Sequence, residues 1–168
     1  HLCTPGRALG IIVNGGFASH VMIPHAKYLF DKGDVADTLA ATYACSGLTA
    51  YGAIKKLGEL AAGDEVVIIG AGGVGMMAIQ IARAMGMDPI VVDIDPAKLE
   101  AAQQLGVSRT YDSSQMDTAK AIRKASGGAY AALDFVGAEA SVNYGLTTLR
   151  KGGMLVVVGL YGGALTMP

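Results

Sequence analysis

A strand pattern that runs through three spaced glycines directly into a helical pattern constrains the fold of this chain more than any other feature. Residues 65–75 read EVVIIGAGGVG, and an apolar helical run follows over 76–85. Glycine permits a tight turn at Gly70, close approach of the backbone to a ligand at Gly72, and close helix–strand packing at Gly75. The helix N-terminus then offers N–H groups and a positive dipole to phosphate groups. Because the strand and the helix that this fingerprint requires are both present, the sequence predicts a dinucleotide-binding turn.

The acidic residue after the next predicted strand indicates which dinucleotide would bind. The apolar run 90–92 ends in Asp93, which follows Gly75 at close to the offset of about 20 residues that is typical of a ribose-binding carboxylate. A carboxylate at this place accepts hydrogen bonds from the ribose hydroxyls and repels a 2′-phosphate, so that NAD is favoured over NADP. Alternatively, Asp93 is a turn or helix-capping acid before Pro96, a role that Asp95 could also fill.

Composition and charge argue against several other classes of protein. The chain has 168 residues, a hydrophobic content of 52% and a formal net charge of −1. This content suffices for a buried core, and the charge gives no electrostatic case for nucleic acid or an anionic membrane as a partner. No apolar run approaches the ~20 residues that span a bilayer, and no signal-peptide pattern opens the sequence. The two cysteines, Cys3 and Cys45, form no disulfide framework, so a cytoplasmic protein is expected.

The pattern of elements divides the chain into two regions. Two β-like runs, 9–13 and 18–23, flank an Asn-Gly-Gly turn signal and predict a β-hairpin. A helix is expected over 38–57, with a break or bend at Ser46-Gly47. From residue 64 onward strands and helices alternate, with predicted strands at 65–69, 89–92, 109–111, 131–136 and 154–159 and predicted helices at 74–85, 96–105, 116–125 and 138–149. This alternation predicts an α/β fold, a Rossmann-type doubly wound parallel sheet in which five strands are countable and the usual sixth is missing.

Several motifs occur in a fixed order along the chain. They are LGI at 9–11, GGFA at 15–18 followed by Pro24, ACSGLTAYGA at 44–53, GAGGVG at 70–75, Asp93, and DFVG at 134–137. Together they resemble the zinc-containing alcohol dehydrogenase family of the medium-chain dehydrogenase/reductase superfamily, over essentially the whole chain. The resemblance implies that residues 1–45 are the β-rich C-terminal part of a GroES-like catalytic domain with its linking helix. Residues 46–168 would then form an NAD-binding Rossmann domain truncated at its C-terminus, and the chain would be an internal fragment.

The resemblance also implies roles for residues outside the glycine turn. Cys45 matches a catalytic zinc ligand, and Thr49 matches a threonine that contacts the nicotinamide end of the coenzyme. A cysteine thiolate is a good zinc ligand, and a catalytic zinc keeps one coordination position open for a substrate oxygen. The zinc stabilises the alkoxide form of the substrate, from which hydride is transferred to the nicotinamide. Alternatively, Cys45 is a small buried residue in a helix. Cys3 is similar in position to the last cysteine of a four-cysteine structural zinc site, whose other members would precede residue 1.

Further coenzyme contacts are implied less specifically. Lys98 is placed like a family lysine near the adenosine ribose, although any exposed helix lysine would look the same. The remaining candidates are backbone or apolar positions of the turn and of the carboxyl ends of the last two strands, namely Gly73, Val74, Val136, Val158, Gly159 and Leu160. For the apolar members of this set, packing in the core is the alternative. His20 and His25 are expected to be surface histidines rather than zinc ligands.

These observations lead to one expected function and two alternatives. We expect the coenzyme-binding portion of a zinc- and NAD-dependent alcohol dehydrogenase that interconverts a small alcohol and an aldehyde or ketone by hydride transfer. By itself this portion is expected to be inactive and to bind NAD weakly, if at all. The longer protein is expected to be a homo-oligomer, a dimer or tetramer, without nucleic-acid or membrane partners. One alternative is a zinc-free, NADPH-dependent quinone reductase, which would lack Cys45 and usually Asp93. The other is a non-redox nucleotide-binding module, such as a methyltransferase that binds S-adenosylmethionine on a similar sheet.

Overall fold

A computed structural model describes residues 8–59 and 63–162. The chain divides into two compact units, His1–Ala36 and Asp37–Pro168. Cys3 lies outside the described residues. The predicted boundary after residue 45 separates the two domains that the family resemblance implies, not two compact units. It stays a prediction. Within the described part of the chain, no helix is both long enough and apolar enough to cross a membrane.

The β-hairpin predicted for the first unit is wrong. Leu9 and Val13 form only an isolated bridge, and no residue from 14 to 36 belongs to a strand. Among residues 8–36 the one regular element is a short 3-10 helix, Ala26–Tyr28, capped by the exposed His25 side chain. Ile11 is 85% exposed and other large apolar side chains of this segment are also exposed. A two-stranded hairpin is marginal unless a further strand or a covering layer buries one of its faces, and the described residues of this unit supply neither.

The helix predicted over 38–57 is present and changes its winding where a break was expected. Helix α1, Asp37–Thr42, continues into a π-helical turn, Tyr43–Gly47, from which α2, Leu48–Lys55, follows. Ser46 lies in that turn and donates from Oγ to the Thr42 carbonyl oxygen at 2.7 Å. Side-chain hydrogen bonds of this kind to the preceding turn compete with the backbone ladder and often bend helices.

The Rossmann-type sheet is confirmed. Five parallel strands lie in the order β3-β2-β1-β4-β5. Their bounds are Glu65–Ile69 for β1, Asp88–Asp93 for β2, Arg109–Asp112 for β3, Ala129–Asp134 for β4 and Leu149–Val157 for β5. The helices between them are α3, Gly73–Ala84, α4, Pro96–Gln104, α5, Thr118–Ser126, and α6, Glu139–Thr148. This is the order of the first five strands of the dinucleotide-binding fold.

Both faces of the sheet are covered. Val66 and Ile68 of β1 pack in one core cluster with residues of α2, α3 and α4. Val67 and Ile69 pack on the opposite face, in a cluster that includes Ile122 of α5. Because successive side chains of a strand point to opposite faces, a strand covered on both sides must be apolar throughout. The unbroken run at 66–69 is therefore explained by its central place in the sheet.

Strands β2 and β3 extend beyond their predicted bounds by one residue at most at either end, whereas β4 and β5 differ from the prediction by two to five residues. Strand β4 ends at Asp134 rather than at residue 136, since the Asp134 side chain accepts hydrogen bonds from the N–H groups of Val136 and Gly137 and so turns the chain. Strand β5 begins at Leu149 rather than at Met154. The chain pairs with β4 at Leu149, loses register, and pairs again from Met154 onward.

Candidate functional site

The turn between β1 and α3 leaves its backbone open at the helix N-terminus. Gly70 has φ of 89°, in the left-handed region that favours glycine. A Cβ on Gly75 would collide with the Gly70 carbonyl oxygen, so that α3 packs directly on the turn. A Cβ on Gly72, by contrast, would meet no atom within 4 Å. Because Gly72 is the N-cap of α3 and has no side chain, no side-chain cap reaches the first turn, and its N–H groups can receive an anion.

Asp93 is held rigidly beside this turn. Its side chain is 7% exposed, Oδ2 accepts from the Ala71 N–H at 2.7 Å, and Oδ1 accepts from the Asp95 N–H at 3.0 Å. Lys98 Nζ lies 3.8 Å from Oδ1. The capping role belongs to Asp95, whose side chain accepts from the Ala97 N–H at the start of α4. Since a carboxylate can accept about four hydrogen bonds, about two acceptor positions of Asp93 remain for a ligand.

Three of the predicted coenzyme residues line one cleft at the carboxyl ends of the strands. Gly70, Asp93 and Val136 surround a space of about 250 Å³. The cleft lies where the strand order reverses, between β1 and β4, which is the place where ligands bind in open α/β sheets. Ile94, which is 70% exposed, and Val136, which is 36% exposed, offer it apolar surface. The rest of the wall comes mainly from Ser113 and from Ala140, Ser141 and Tyr144 of α6.

A second cleft, of about 510 Å³, brings two other predicted residues together. Thr49 of α2 and Val158, directly after β5, both line it. Lys55 and Lys56 also line it, and none of its residues lines the first cleft. Leu160, which was predicted to contact the coenzyme with its backbone, is 97% exposed. Five of the predicted contacts therefore lie in two separate clefts of the same unit, and the others line neither cleft, namely Gly72, Gly73, Val74, Gly75, Lys98, Gly159 and Leu160.

Gly73 and Val74 occupy the first turn of α3. Gly73 is exposed, and a Cβ added there would meet no atom within 4 Å. Val74 is partly buried and packs against the core cluster on the sheet face that α3 covers. The Val74 side chain therefore has the core-packing role that was the alternative for the apolar candidates. Its backbone N–H lies in the first turn of the helix.

Cys45 lies exposed in the π-helical turn, so the alternative of a buried helix cysteine is wrong. Within residues 8–59 and 63–162, no group of three or more His, Cys, Asp and Glu side chains could hold a metal ion. A catalytic zinc needs three protein ligands and an open position. The described residues alone therefore do not fit a zinc site.

Asp134 is a functional candidate that the sequence analysis named only as part of a motif. It is buried with 0% exposure at the end of β4. Its Oδ1 accepts from the Val136 and Gly137 N–H groups at 2.8 and 3.1 Å, and its Oδ2 accepts from Ser141 Oγ at 2.9 Å. The available signal was a carboxylate at the end of an apolar strand, the same signal that singled out Asp93.

Ile94, Ser113 and Tyr144 are further members of the first cleft that the sequence analysis did not identify. Ser113 donates its N–H to the Asp93 carbonyl oxygen at 3.1 Å, and the Tyr144 hydroxyl donates to Thr118 Oγ1 at 3.0 Å. Burial raises the pKa of Tyr144 above its ordinary value. Ile94 could have been found as the residue after Asp93, whereas nothing in the sequence relates Tyr144 to Asp93.

Known proteins similar to this chain match nearly all of its length. A family model described as zinc-binding dehydrogenase matches residues 73–168. An NAD-dependent alcohol dehydrogenase of Sulfurisphaera tokodaii is 39% identical over 169 residues, which cover 98% of this chain and 48% of the relative. The solved alcohol dehydrogenase of Aeropyrum pernix has 32% identity and a TM-score of 0.80, covering 99% of this chain and 50% of that one.

A third similar protein was solved with a coenzyme. Acetophenone reductase from Geotrichum candidum, in complex with NAD, has 28% identity and a TM-score of 0.72, with 82% of this chain and 38% of that chain covered. The chain spans about half the length of the curated relatives that it matches.

Proposed function

The chain belongs to the zinc-binding dehydrogenase family, and we propose that it is the coenzyme-binding portion of an NAD-dependent alcohol dehydrogenase. The whole protein would interconvert an alcohol and an aldehyde or ketone. The observation that carries the proposal is the open glycine turn meeting a fixed carboxylate, Asp93, at one cleft. Relatives named NAD-dependent alcohol dehydrogenases support it, as does the similar acetophenone reductase solved with NAD.

The residues of the first cleft suit the adenosine and pyrophosphate parts of NAD. In this proposal the pyrophosphate lies against Gly72 and the free N–H groups of α3. The ribose hydroxyls donate to the acceptor positions of Asp93 that the Ala71 and Asp95 N–H groups leave unused. The adenine ring lies against the apolar surface of Ile94 and Val136, since base rings bind in largely apolar pockets with few polar contacts. When bound, the nicotinamide ring supplies the hydride acceptor.

In this proposal Asp93 is the residue that selects NAD over NADP. Its two anchoring N–H groups prevent the carboxylate from turning away from a 2′-phosphate. Lys98 partly offsets the charge, yet its Nζ remains 3.8 Å away and its side chain is 45% exposed. Repulsion of a phosphate by the nearly buried carboxylate therefore outweighs attraction by the exposed ammonium group, which solvent screens.

The second cleft is the proposed place of the nicotinamide end. Thr49 of α2 and Val158, directly after β5, line the same space, and we propose that the nearby backbone of Gly159 and Leu160 also contacts this end of the coenzyme. The proposed division into a GroES-like part over 1–45 and a Rossmann domain over 46–168 places Thr49 near the start of the coenzyme domain.

Zinc dependence is a further proposal and rests on the family. Cys45 is exposed and free, which leaves its sulfur accessible to a metal ion. A catalytic zinc ion on Cys45 would need at least one protein ligand from outside the described ranges, and the role of Cys3 as a structural zinc ligand rests on the family resemblance alone. A cytoplasmic location and a homo-oligomeric state belong to this proposal about the whole protein.

Titration of the chain with NADH and NADPH, followed by coenzyme fluorescence, tests the proposal. We expect saturable NADH binding that is at least about tenfold tighter than NADPH binding, a difference of about 1.4 kcal/mol. Asp93→Asn should narrow this ratio, because the amide keeps the shape but not the charge. The substitution should also weaken the binding of both coenzymes, since an amide has one oxygen and cannot accept from both N–H groups as the carboxylate does. The ratio of the NADH and NADPH affinities is unaffected by this shared loss.

The matched control is Glu100→Gln, which removes an exposed carboxylate from α4 and should leave the ratio unchanged. Absence of saturable NADH binding by the wild-type chain would contradict the proposal. Tighter binding of S-adenosylmethionine than of NADH would favour the non-redox alternative, and an unchanged ratio in Asp93→Asn would remove Asp93 as the selective residue.

A further inference from the structure

We propose that Asp134 is a positioning residue that sets the affinity for the coenzyme by fixing the cleft wall at Val136, without touching the coenzyme itself. The inference rests on the proposed function, because it concerns the same cleft. It differs from that function in assigning a role to a residue that lines neither cleft.

The Asp134 side chain ties three parts of the molecule together. Oδ1 accepts from two successive N–H groups, those of Val136 and Gly137, and closes the turn after β4. Oδ2 accepts from Ser141 Oγ, which also accepts from the Ala138 N–H at 3.0 Å. The carboxylate therefore connects the end of β4 to the first turn of α6 through the turn that carries Val136.

The backbone of Asp134 extends the same connection to β5. Its carbonyl oxygen accepts from the Val158 and Gly159 N–H groups at 2.8 and 3.0 Å. Gly137 has φ of 77°, and a Cβ there would collide with the Gly159 carbonyl group. The turn after β4 thus packs in close contact with the segment after β5. That segment contributes Val158 to the second cleft.

On its other side the turn meets the glycine turn. A Cβ on Gly70 would lie 2.8 Å from Val136 Cγ2, so the Val136 side chain occupies the space that the missing Gly70 side chain leaves. Val136 lines the cleft together with Asp93. A turn released from Asp134 would move Val136 against Gly70 or away from it, and either movement changes the width of the cleft.

The contacts of the Asp134 carboxylate are directional hydrogen bonds rather than ion pairs. Among the described residues no cation forms an ion pair with Asp134, and all three donors to its side chain are neutral groups. Burying a carboxylate costs free energy, and the hydrogen bonds from these donors offset that cost. What the carboxylate provides is three directed hydrogen bonds that define one conformation of the turn.

The test compares three variants of the whole chain by NADH titration and thermal unfolding, at a temperature where all are folded. Asp134→Ala removes all three acceptor contacts and should weaken NADH binding by about tenfold or more. Ile122→Ala removes an apolar side chain of α5 that is 1% exposed and lines neither cleft. It should lower the melting temperature and leave NADH affinity within about twofold of wild type.

Asp134→Asn is the conservative variant. Its amide oxygen can accept from the Val136 and Gly137 N–H groups, and its NH₂ group can donate to Ser141 Oγ, whose single proton then turns to the Ala138 carbonyl oxygen 2.9 Å away. Asn should therefore restore NADH affinity to within about threefold of wild type. Rescue of this kind, together with the Ile122→Ala result, separates positioning from a general loss of stability.

Equal NADH affinities in Asp134→Ala and Ile122→Ala would overturn the inference. If Asp134→Ala does not fold, Asp134→Ser takes its place, because its shorter hydroxyl side chain can still accept from the Val136 N–H but cannot reach Ser141, and residue 134 lines neither cleft. An affinity loss of about threefold is then expected, and an unchanged affinity overturns the inference. Failure of the wild-type chain to bind NADH would be a failure of the proposed function, and wild-type binding with unaffected variants would be a failure of the role of Asp134 alone.

Discussion

Single glycines of the β1–α3 turn differ in what surrounds them, although all belong to one sequence motif. At Gly75 an added methyl group would meet the Gly70 carbonyl oxygen, whereas at Gly72 it would enter open space. Gly72 also has φ of −75°, which any residue can adopt. Gly75 is therefore required by the fold, and Gly72 is required only by what approaches the turn from outside.

The pair Gly75→Ala and Gly72→Ala tests this distinction. Gly75→Ala should lower the free energy of unfolding by about 1–3 kcal/mol, because overpacking against backbone outweighs the gain in helix propensity. Gly72→Ala should change it by less than about 0.5 kcal/mol and should weaken NADH binding, since its methyl group would lie between the backbone and the pyrophosphate. Urea denaturation and NADH titration of both variants measure the two effects. A stable Gly75→Ala variant would mean that α3 can move away from the turn.

Tyr144 gives the chain a predicted dependence on alkaline pH. Burial raises the pKa of Tyr144; the hydrogen bond to Thr118 lowers it, and the neighbouring Tyr111 and Asp112 raise it. Because the pKa in the folded state exceeds the ordinary value of about 10, the unfolded chain loses this proton first. The contribution of Tyr144 to the free energy of unfolding is fully present below about pH 10. It is lost as the pH rises through the pKa of Tyr144 in the folded state.

Tyr144→Phe removes this titration. Its free energy of unfolding should fall less steeply above about pH 10 than that of the wild type, as measured by urea denaturation at a series of pH values. Parallel curves for the two proteins would show that Tyr144 is not the group responsible.

Among the elements, the amino and carboxyl ends of the strands carry different chemistry. At the amino ends, Arg109 of β3 forms ion pairs with Glu65 of β1 and Asp88 of β2, and so connects three strands. Burial opposes the charge of Arg109, but the hydrogen bond and charge of Glu65, with a contribution from Asp88, raise its pKa overall. At the carboxyl ends, Asp93 and Asp134 instead accept hydrogen bonds from the loops that form the clefts.

Arg109→Met should therefore affect stability but not coenzyme binding. Partly buried pairs are worth more than fully exposed ones, and here the Arg109 and Glu65 side chains are 26% and 25% exposed while Asp88 is 50% exposed. We expect a loss of about 1 kcal/mol in the free energy of unfolding, with part of this effect screened by salt. Urea denaturation at low and high salt measures it, with Arg123→Met on the exposed surface of α5 as control. A changed NADH affinity would contradict the separation between the two ends of the sheet.

At the scale of the whole molecule, the core and the candidate site belong to one unit. Every residue of the two core clusters lies within Asp37–Pro168, and so does every residue of the two clefts. A chain of residues 37–168 should therefore fold and bind NADH within about threefold of the affinity of the whole chain. Circular dichroism and NADH titration of the shortened chain test this. Loss of the fold would show that the second unit depends on the first.

The sequence by itself determined the features that depend on local chemistry. The alternation of strands and helices, the glycine turn and the placement of Asp93 followed from side-chain periodicity and from the conformational freedom of glycine, and the structure agrees with them. The irregularity at Ser46-Gly47 was also predictable, and it is a π-helical change of winding at which the Ser46 side chain bonds to the preceding turn. The hairpin was not, because a β-like pattern forms strands only when something covers one face, and its apolar residues remain exposed.

Only the tertiary structure decided which distant residues share a cleft. The order β3-β2-β1-β4-β5 brings loops from separate parts of the chain to one edge of the sheet, so that Tyr144 joins Asp93 and Thr49 joins Val158. It also decided that Asp134 holds the turn next to Gly70, since the contact between Val136 and the glycine turn exists only once β1 and β4 are neighbours. Sequence patterns describe neighbours along the chain, whereas these contacts depend on neighbours across the sheet.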